Sequence, residues 1–432
     1  MKQALVLGGS KSGNAVVKLL LAQGYKILWA DDGEIQVDKE IDVSKITLCQ
    51  HGINMALGEL KVDLVVKNPA IPESHPVVTY LAERYFIYTE SDLAFLYSKN
   101  FQYGAITGTN GKTTTTALLD HLLEGGDLPH QACGNIGLPL SEIAYMWGQQ
   151  PANIALELSS FQIEGLLFFK PKVATILNLA PDHLDRYYYA ENYYDSKFNL
   201  LKNMDRQDIF LRNIDDPEIM QRARYLNCQV IDFSLKEKAD VYIKANMAFY
   251  KDQFLFSMDD LPVKGPHNVQ NAIVASMMAL ILGVPLDQVQ ARLKTFEAVK
   301  HRLQPVKTVL GRQFVNDSKA TNPEATMVAL DSFEQPVILL MGGYDKQLGF
   351  EQLSRYESKM KEVILFGQTK EKLKALFPKG HLVDDLEEAM ALAIQISQAG
   401  DVVLLSPACA SFDQYKSFEE RGDHFIALVE NI

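Results

Sequence analysis

Short apolar runs recur along the chain, at 4–7, 26–29, 64–66, 104–106, 154–156, 173–177, 337–341, 363–366 and 402–405, with helix-period stretches between them. Continuous apolar runs of this length predict strands buried on both faces, as in parallel sheets. Repeated strand–helix units predict layered α/β architecture. Two glycine turns, near residues 8 and 108, each open such a unit, and a third set of strands begins after Arg302. The expected organisation is three α/β domains: a Rossmann-like one over 1–93, a P-loop-type one with a mostly parallel sheet over 94–298, and a Rossmann-like one over 299–432. Segments 89–100 and 296–304 are the candidate linkers.

Composition narrows the function classes. With 47% hydrophobic and 22% charged residues among 432, the chain is globular rather than disordered. Its net charge of −12 argues against nucleic acid, whose phosphates need a basic face. Cys49, Cys133, Cys228 and Cys409 are far apart with no CxxC, so a disulfide framework or structural zinc is not expected. Scattered thiols fit a reducing cytoplasm. The first residues run into a strand and a glycine turn without a signal-peptide core, and no apolar run reaches membrane-spanning length. A cytoplasmic protein with no membrane insertion is expected.

The strongest motif is Thr107-Gly108-Thr109-Asn110-Gly111-Lys112-Thr113-Thr114, between a strand and a helical run. That is the setting of a phosphate loop. Glycines let backbone N–H groups curl around phosphate oxygens, Lys112 supplies a point charge, and Thr113 can hold Mg²⁺. The strict Walker spacing would put a first glycine at position 106, which is Ile106, so the match is the shorter G-x-x-G-K-T form. A glycine-rich surface turn is the bland alternative. No Asn is followed by Lys, so the guanine-specific NKxD pattern is absent and ATP is favoured.

The first turn, Gly8-Gly9-Ser10-Lys11-Ser12-Gly13, resembles a dinucleotide turn but has Ser10 in the second glycine's slot. Asp31 and Asp32 follow the next strand, where an acid can meet a ribose. With a better nucleotide site at Lys112, a diphosphate-bearing substrate is the more economical reading. Glu157 ends a strand in the unit of the phosphate loop, a position suited to Mg²⁺. His183, in Asp182-His183-Leu184-Asp185, is a further metal candidate, although the two acids could equally be helix caps. Lys197 reads as a surface lysine. Asn268 and Asn271, at i and i+3, could bracket a base or ribose. In the last domain the polar stretches 316–322, 342–346 and 406–416 each follow a strand, where open α/β sheets bind ligands.

Taken in order, 108–113, Glu157, 182–185, Lys197, 267–271, His301-Arg302 and 316–322 resemble the motifs of the Mur ligases of peptidoglycan precursor synthesis over essentially the whole chain. Gly134-Asn135-Ile136-Gly137-Leu138-Pro139 and the run 406–425 look like the family's D-glutamate-adding members; the DNPR motif of the diaminopimelate- or lysine-adding ones is absent. The resemblance implies an ATP-dependent amide ligase acting on UDP-N-acetylmuramoyl-L-alanine and D-glutamate, as a monomer. It implies ATP on Gly108, Thr109, Asn110, Gly111, Lys112, Thr113, Thr114, Asn268, Asn271, Arg302 and Asp317. It implies two Mg²⁺ near Thr113, Glu157, His183 and Lys197, with Lys197 carried as a carbamate. It implies substrate contacts at Lys11, Ser12, Asp31, Asp32, Asn135, Lys319, Thr321, Lys346, Ser411 and Phe418. Lys112, His183 and Lys197 are the implied catalytic groups. Pro69-Ala70 stands where the family has Pro-Gly, and Tyr344-Asp345-Lys346 departs from its acid-glycine-lysine run. The alternatives are another ligase of the superfamily, such as folylpolyglutamate synthase, a nicotinamide-dependent oxidoreductase built on the first turn, and a non-catalytic nucleotide-binding scaffold.

Overall fold

Three sheets carry the fold in the computed structural model, which is described over residues 2–59, 61–262, 265–297 and 299–432. The first contains β1 (Gln3–Leu7), β2 (Lys26–Ala30), β3 (Ile46–Cys49), β4 (Leu64–Lys67) and β5 (Ile87–Thr89), all parallel in the order β3-β2-β1-β4-β5. The chain reverses winding direction on either side of β1. The first glycine turn therefore lies at a topological switch point, where doubly wound sheets open a crevice.

The second sheet contains β6 (Phe101–Thr107), β7 (His130–Gly134), β8 (Ala152–Glu157), β9 (Val173–Ile176), β10 (Ile209–Asn213), β11 (Gln229–Ser234), β12 (Val241–Lys244), β13 (Met247–Tyr250) and β14 (Gln253–Ser257). Their order is β14-β13-β12-β11-β10-β9-β6-β8-β7, parallel from β7 to β12 and antiparallel at the far edge. Two two-residue turns make that edge, Ala245-Asn246 and Lys251-Asp252, each with φ positive at both positions. Such turns match the twist of a hairpin.

The third sheet contains β15 (Gln304–Val309), β16 (Arg312–Asn316), β17 (Val337–Gly342), β18 (Met360–Phe366), β19 (His381–Leu382) and β20 (Val402–Leu405), ordered β15-β16-β20-β17-β18-β19. All neighbours are parallel except β15 and β16. One face packs Leu339, Met341 and Leu404 against helix Pro323–Asp331; the other packs Ile338, Leu340 and Leu405 against helices Leu386–Ile396 and Phe418–Glu430. Burial on both faces is why these strands read as unbroken apolar runs.

Every expected apolar run lies in a strand, save that Leu177 falls just past β9. The runs missed are the more polar ones, such as β3, whose residues are exposed or half-buried. The chain forms two compact units. The first comprises Met1–Leu179, Tyr194–Asp260 and Gln270–Lys294 and holds two sheets; the second comprises Ala180–Tyr193, Leu261–Val269 and Thr295–Ile432 and holds the third. The segment 89–100 is no free linker: it carries the buried helix Glu90–Tyr97, started by a Thr89–Asp92 capping box. The Asp92 carboxylate also accepts from the amides of Leu167, Phe168 and Phe169. In 296–304, Ala298 lies outside the described residues. Among the described residues no helix is long and apolar enough to cross a membrane.

Candidate active site

In the first unit, β6 ends at Thr107 and helix Lys112–Leu123 begins five residues later. Gly108 (φ 145°) and Gly111 (φ 87°) turn the chain between them in the left-handed region that favours glycine. A Cβ on Gly111 would lie 2.7 Å from Asn271 Oδ1. Asn178 clamps the loop: its carbonyl accepts from the Thr109 amide and its side chain pairs with the backbone of Asn110 in both directions. Asn271 Oδ1 accepts from the Thr115 hydroxyl at 3.0 Å. Lys112 Nζ donates to the carbonyls of Gly108 and Thr109 at 2.8 and 2.9 Å, which holds the ammonium over the loop. Thr113 and Thr114 are buried in the first helical turn, the positive end of the helix dipole.

Strands β7, β8, β6 and β9 are adjacent and parallel, so the segments leaving their C-terminal ends share one sheet edge. Glu157, at the end of β8, is buried; the Asn135 side chain donates to its Oε1 at 2.8 Å, and its Oε2 has no hydrogen-bond partner among the described residues. An orphaned carboxylate oxygen beside a phosphate loop fits a Mg²⁺ ligand, because an unpaired buried acceptor is otherwise costly. Lys197 overturns its reading as a surface lysine. It is 1% exposed on helix Ala190–Phe198, and its Nζ donates to the Gly108 carbonyl at 3.2 Å. The helix, Ala-Glu-Asn-Tyr-Tyr-Asp-Ser-Lys-Phe, is too polar for periodicity to mark its inward face. No group of three His, Cys, Asp or Glu side chains gathers as a metal cage among the described residues. Mg²⁺ keeps several waters and is commonly held by one or two carboxylates with substrate phosphates, a donor set that Glu157 beside the phosphate loop fits.

The first turn borders a cavity of about 260 Å³ lined by Ser10, Lys11, Ser12, Pro69, Asn135 and Gly137, among others. Lys11 Nζ donates to the Gly137 carbonyl at 2.6 Å. Asn68, which the sequence did not single out, donates from Nδ2 to the hydroxyls of Ser10 and Ser12 at 2.6 and 2.9 Å. Asp31 accepts from the amides of Gly9 and Gly33, and Asp32 from that of Ile53. Both acids thus bind backbone amides; Asp31 ties the first turn to the end of β2, and Asp32 holds the backbone at Ile53.

In the second unit, β16, β20 and β17 are adjacent and parallel, which gathers the three polar stretches onto one edge. Asp317 is buried, accepts from the Ser406 hydroxyl and the Leu303 amide, and burial pushes its carboxyl up to about 7. Lys319 Nζ lies 4.8 Å from the centre of the Phe418 ring. The Ser411 hydroxyl is buried with no partner among the described residues. Thr321, half-buried, lies two residues beyond Lys319 and just before Asn322, the N-cap of helix Pro323–Asp331. Arg421 is fully buried and ties the edge together, donating to Ser318 Oγ and to the carbonyls of Ser318, Cys409 and Ala410. Lys346 Nζ meets Asp182 Oδ1 at 2.7 Å, and Asn322 Nδ2 meets Oδ2 at 3.3 Å. Burial acts to raise the Asp182 carboxyl, but Lys346 and His183 outweigh it and hold it well below the usual carboxylate range.

His183 has φ 54° and lies next to Asp182, its Nε2 3.8 Å from that carboxylate. Burial and then the charge of Arg302 push His267 down to about 4, so it is neutral at pH 7. Asn268 follows it, buried. Lys112, Thr113, Asn135, Glu157, Lys197 and Asn271 thus belong to the first unit. His183, Asn268, Arg302, Asp317, Lys319, Thr321, Lys346, Ser411 and Phe418 belong to the second.

Comparison with known proteins agrees with this geometry. Residues 106–279 match the family model of the Mur ligase middle domain, and residues 301–409 that of the Mur ligase glutamate ligase domain. The UDP-N-acetylmuramoylalanine–D-glutamate ligase of Bacillus mycoides is 39% identical over 442 residues, covering 100% of this chain and 98% of its own length. That of Bacillus thuringiensis is 39% identical over 443 residues with the same coverage. Among solved structures, a pseudomurein peptide ligase type C from Methanothermus fervidus superposes with a TM-score of 0.66 at 16% identity, covering 100% of both chains. The UDP-N-acetylmuramate-alanine ligase of Thermotoga maritima superposes with a TM-score of 0.61 at 19% identity, covering 100% of this chain and 99% of its own. These two show the fold. The chain belongs to the Mur ligase family, among its UDP-N-acetylmuramoylalanine–D-glutamate ligases.

Proposed function

We propose that the chain joins D-glutamate to UDP-N-acetylmuramoyl-L-alanine at the expense of ATP in peptidoglycan synthesis, with one domain (1–93, 94–298, 299–432) devoted to each of the UDP moiety, ATP and D-glutamate. The observation that carries this reading is the position of Asn135. It lines the cavity beside Lys11 and Ser12, and its side chain holds Glu157 on the edge of the phosphate loop. A nucleotide-linked substrate in that cavity would thus have its reactive end next to ATP.

A carboxylate does not acylate an amine at neutral pH, because its oxygen is a poor leaving group. The L-alanyl carboxylate attacks the γ-phosphorus of ATP, ADP leaves, and the carboxylate becomes an acyl phosphate. Lys112 neutralises charge on the transferring phosphoryl group. The Thr113 hydroxyl and Glu157 Oε2 would hold Mg²⁺, which supplies further charge neutralisation when bound. A carbamate on Lys197, formed by its neutral amine and CO₂ with loss of a proton, would add a carboxylate for a second Mg²⁺. The D-glutamate amine then attacks the acyl carbon, a base takes its proton, and phosphate leaves. His183 is our candidate base. Lys319, Thr321, Lys346, Ser411 and Phe418 would hold D-glutamate; the orphaned Ser411 hydroxyl supports this. Binding is ordered ATP, UDP-substrate, D-glutamate, on a monomer.

The test is phosphate release with UDP-N-acetylmuramoyl-L-alanine and D-glutamate, against L-glutamate, L-lysine and D-alanine, and with a folate acceptor. Release is expected with D-glutamate alone. Turnover on the folate acceptor, with none on the muramoyl substrate, would select the folylpolyglutamate synthase alternative.

A further inference from the structure

The Glu90 carboxyl is fully buried, yet it borders the cavity that contains Lys11 and Asn135. It stands at the first position of helix Glu90–Tyr97 and reaches a second helix, Leu140–Trp147, 50 residues away. That second helix is started by Pro139, which has no side-chain cap. Helix starts leave N–H groups orphaned. Glu90 fills the role from a distance: its Oε1 accepts from the Ser141 amide, and its backbone carbonyl accepts from the Ser141 hydroxyl at 3.3 Å. The carboxyl therefore sits at the positive ends of two helix dipoles.

Helix Leu140–Trp147 is the anchor of the segment 134–139, which forms one wall of the cavity. Three side-chain contacts fasten that wall and its helix to Glu157, Lys11 and Glu90, beside the backbone bond from the Asn135 amide to the Glu157 carbonyl and the Lys18–Glu142 ion pair at the helix start. Asn135 is fastened to Glu157, and the Gly137 carbonyl to Lys11. Glu90 to Ser141 is the third, and it alone is closed to solvent, because both residues are buried. The first two fastenings are made by groups whose expected work is to meet ligand. The third leaves its residues free of that work.

We infer that Glu90 is a positioning residue for the UDP-bearing substrate: by capping helix Leu140–Trp147 it fixes the 134–139 wall against which that substrate binds. The inference rests on our reading of the cavity as the UDP-substrate site. Glu90 acts through Ser141 and the wall and touches no reacting atom.

The experiment measures steady-state kinetics of the full chain with each of the three substrates in turn. Glu90→Ala should raise KM for UDP-N-acetylmuramoyl-L-alanine about tenfold, the scale of one lost hydrogen bond. KM for ATP and for D-glutamate should stay near wild type. Glu90→Gln keeps an oxygen acceptor for the Ser141 amide and should restore KM. Ser141→Pro removes the donor within the first helical turn, where the N–H has no partner inside the helix, and should reproduce the Glu90→Ala effect. Ser141→Ala keeps the amide and should not. If Glu90→Ala fails to fold, the Ser141 pair decides. An unchanged KM for the UDP-substrate in Glu90→Ala or Ser141→Pro overturns the inference, as does an equal loss on all three substrates. Wild type inactive on the muramoyl substrate would instead overturn the functional reading.

Discussion

Lys346 and Asp182, 164 residues apart, form a buried ion pair with 2.7 Å between Nζ and Oδ1. Lys346 is thus held by a protein carboxylate at the place where our reading brings in an amino-acid carboxylate. Asp182→Asn leaves the ammonium buried without its counter-charge, which costs about 3–5 kcal/mol. The expected outcome is a drop in Tm of several degrees and a raised KM for D-glutamate. The Asp182 carboxyl is held below its usual range, so its contribution is present above the ordinary carboxylate pKa and is lost as pH falls. Thermal melts should show a constant gap between wild type and variant near neutral pH that narrows only below about pH 5, as the Asp182 carboxyl protonates. Parallel curves would remove the charge assignment.

Lys197 tests the carbamate. Lys197→Ala should lower kcat about a hundredfold or more, as loss of a preorganised charge does. Short carboxylic acids in the buffer should restore part of the rate by standing in for the carbamate. Full activity without added acid would sink the assignment.

Asp317 gives a pH signature of the opposite sign. Its carboxyl is pushed up to about 7 by burial, so folding favours the neutral form. That contribution is complete below the ordinary carboxylate pKa of about 3.9 and disappears as pH rises through 7. Urea denaturation between pH 4.5 and 7.5 should show a component falling by at most ~1.4 kcal/mol per pH unit. Asp317→Asn should flatten it. An identical slope in the variant would show that other groups cause it.

Arg421 binds three carbonyls and one hydroxyl in the interior of the second unit. Arg421→Ala leaves those acceptors unpaired and should cost about 3 kcal/mol or more. Arg421→Lys cannot reproduce the planar fork and should recover little of it. Because Arg421 joins the stretches that carry Ser318 and Ala410, KM for D-glutamate should rise together with the loss of stability. Chemical denaturation and amino-acid titration check the two effects separately.

Read alone, the sequence determined what is contiguous. Gly108 to Thr114 is a local backbone device, so its spacing was sufficient, and the apolar runs announced the central strands because burial on both faces leaves no polar period to obscure them. The negative charge at first argued only against nucleic acid. Lys11, Lys112, Arg302, Lys319 and Lys346 are the local cations that our reading sets against anionic substrates; the phosphate-loop spacing marked Lys112, and the family resemblance brought in the other four.

The tertiary structure decided everything that sheet order and burial control. Strand order made neighbours of the ends of β16, β20 and β17, which the chain visits far apart. It put Asn178 on the phosphate loop and Asn68 on the first turn, although nothing local distinguishes either asparagine. It turned Lys197 inward from a polar helix and made a packed helix of 90–97, the middle of an expected linker. The physical reason is common to all of these. A hydrogen bond between residues distant in sequence depends on which strands pair, and pairing is settled by the burial of whole faces, which no short window of residues contains.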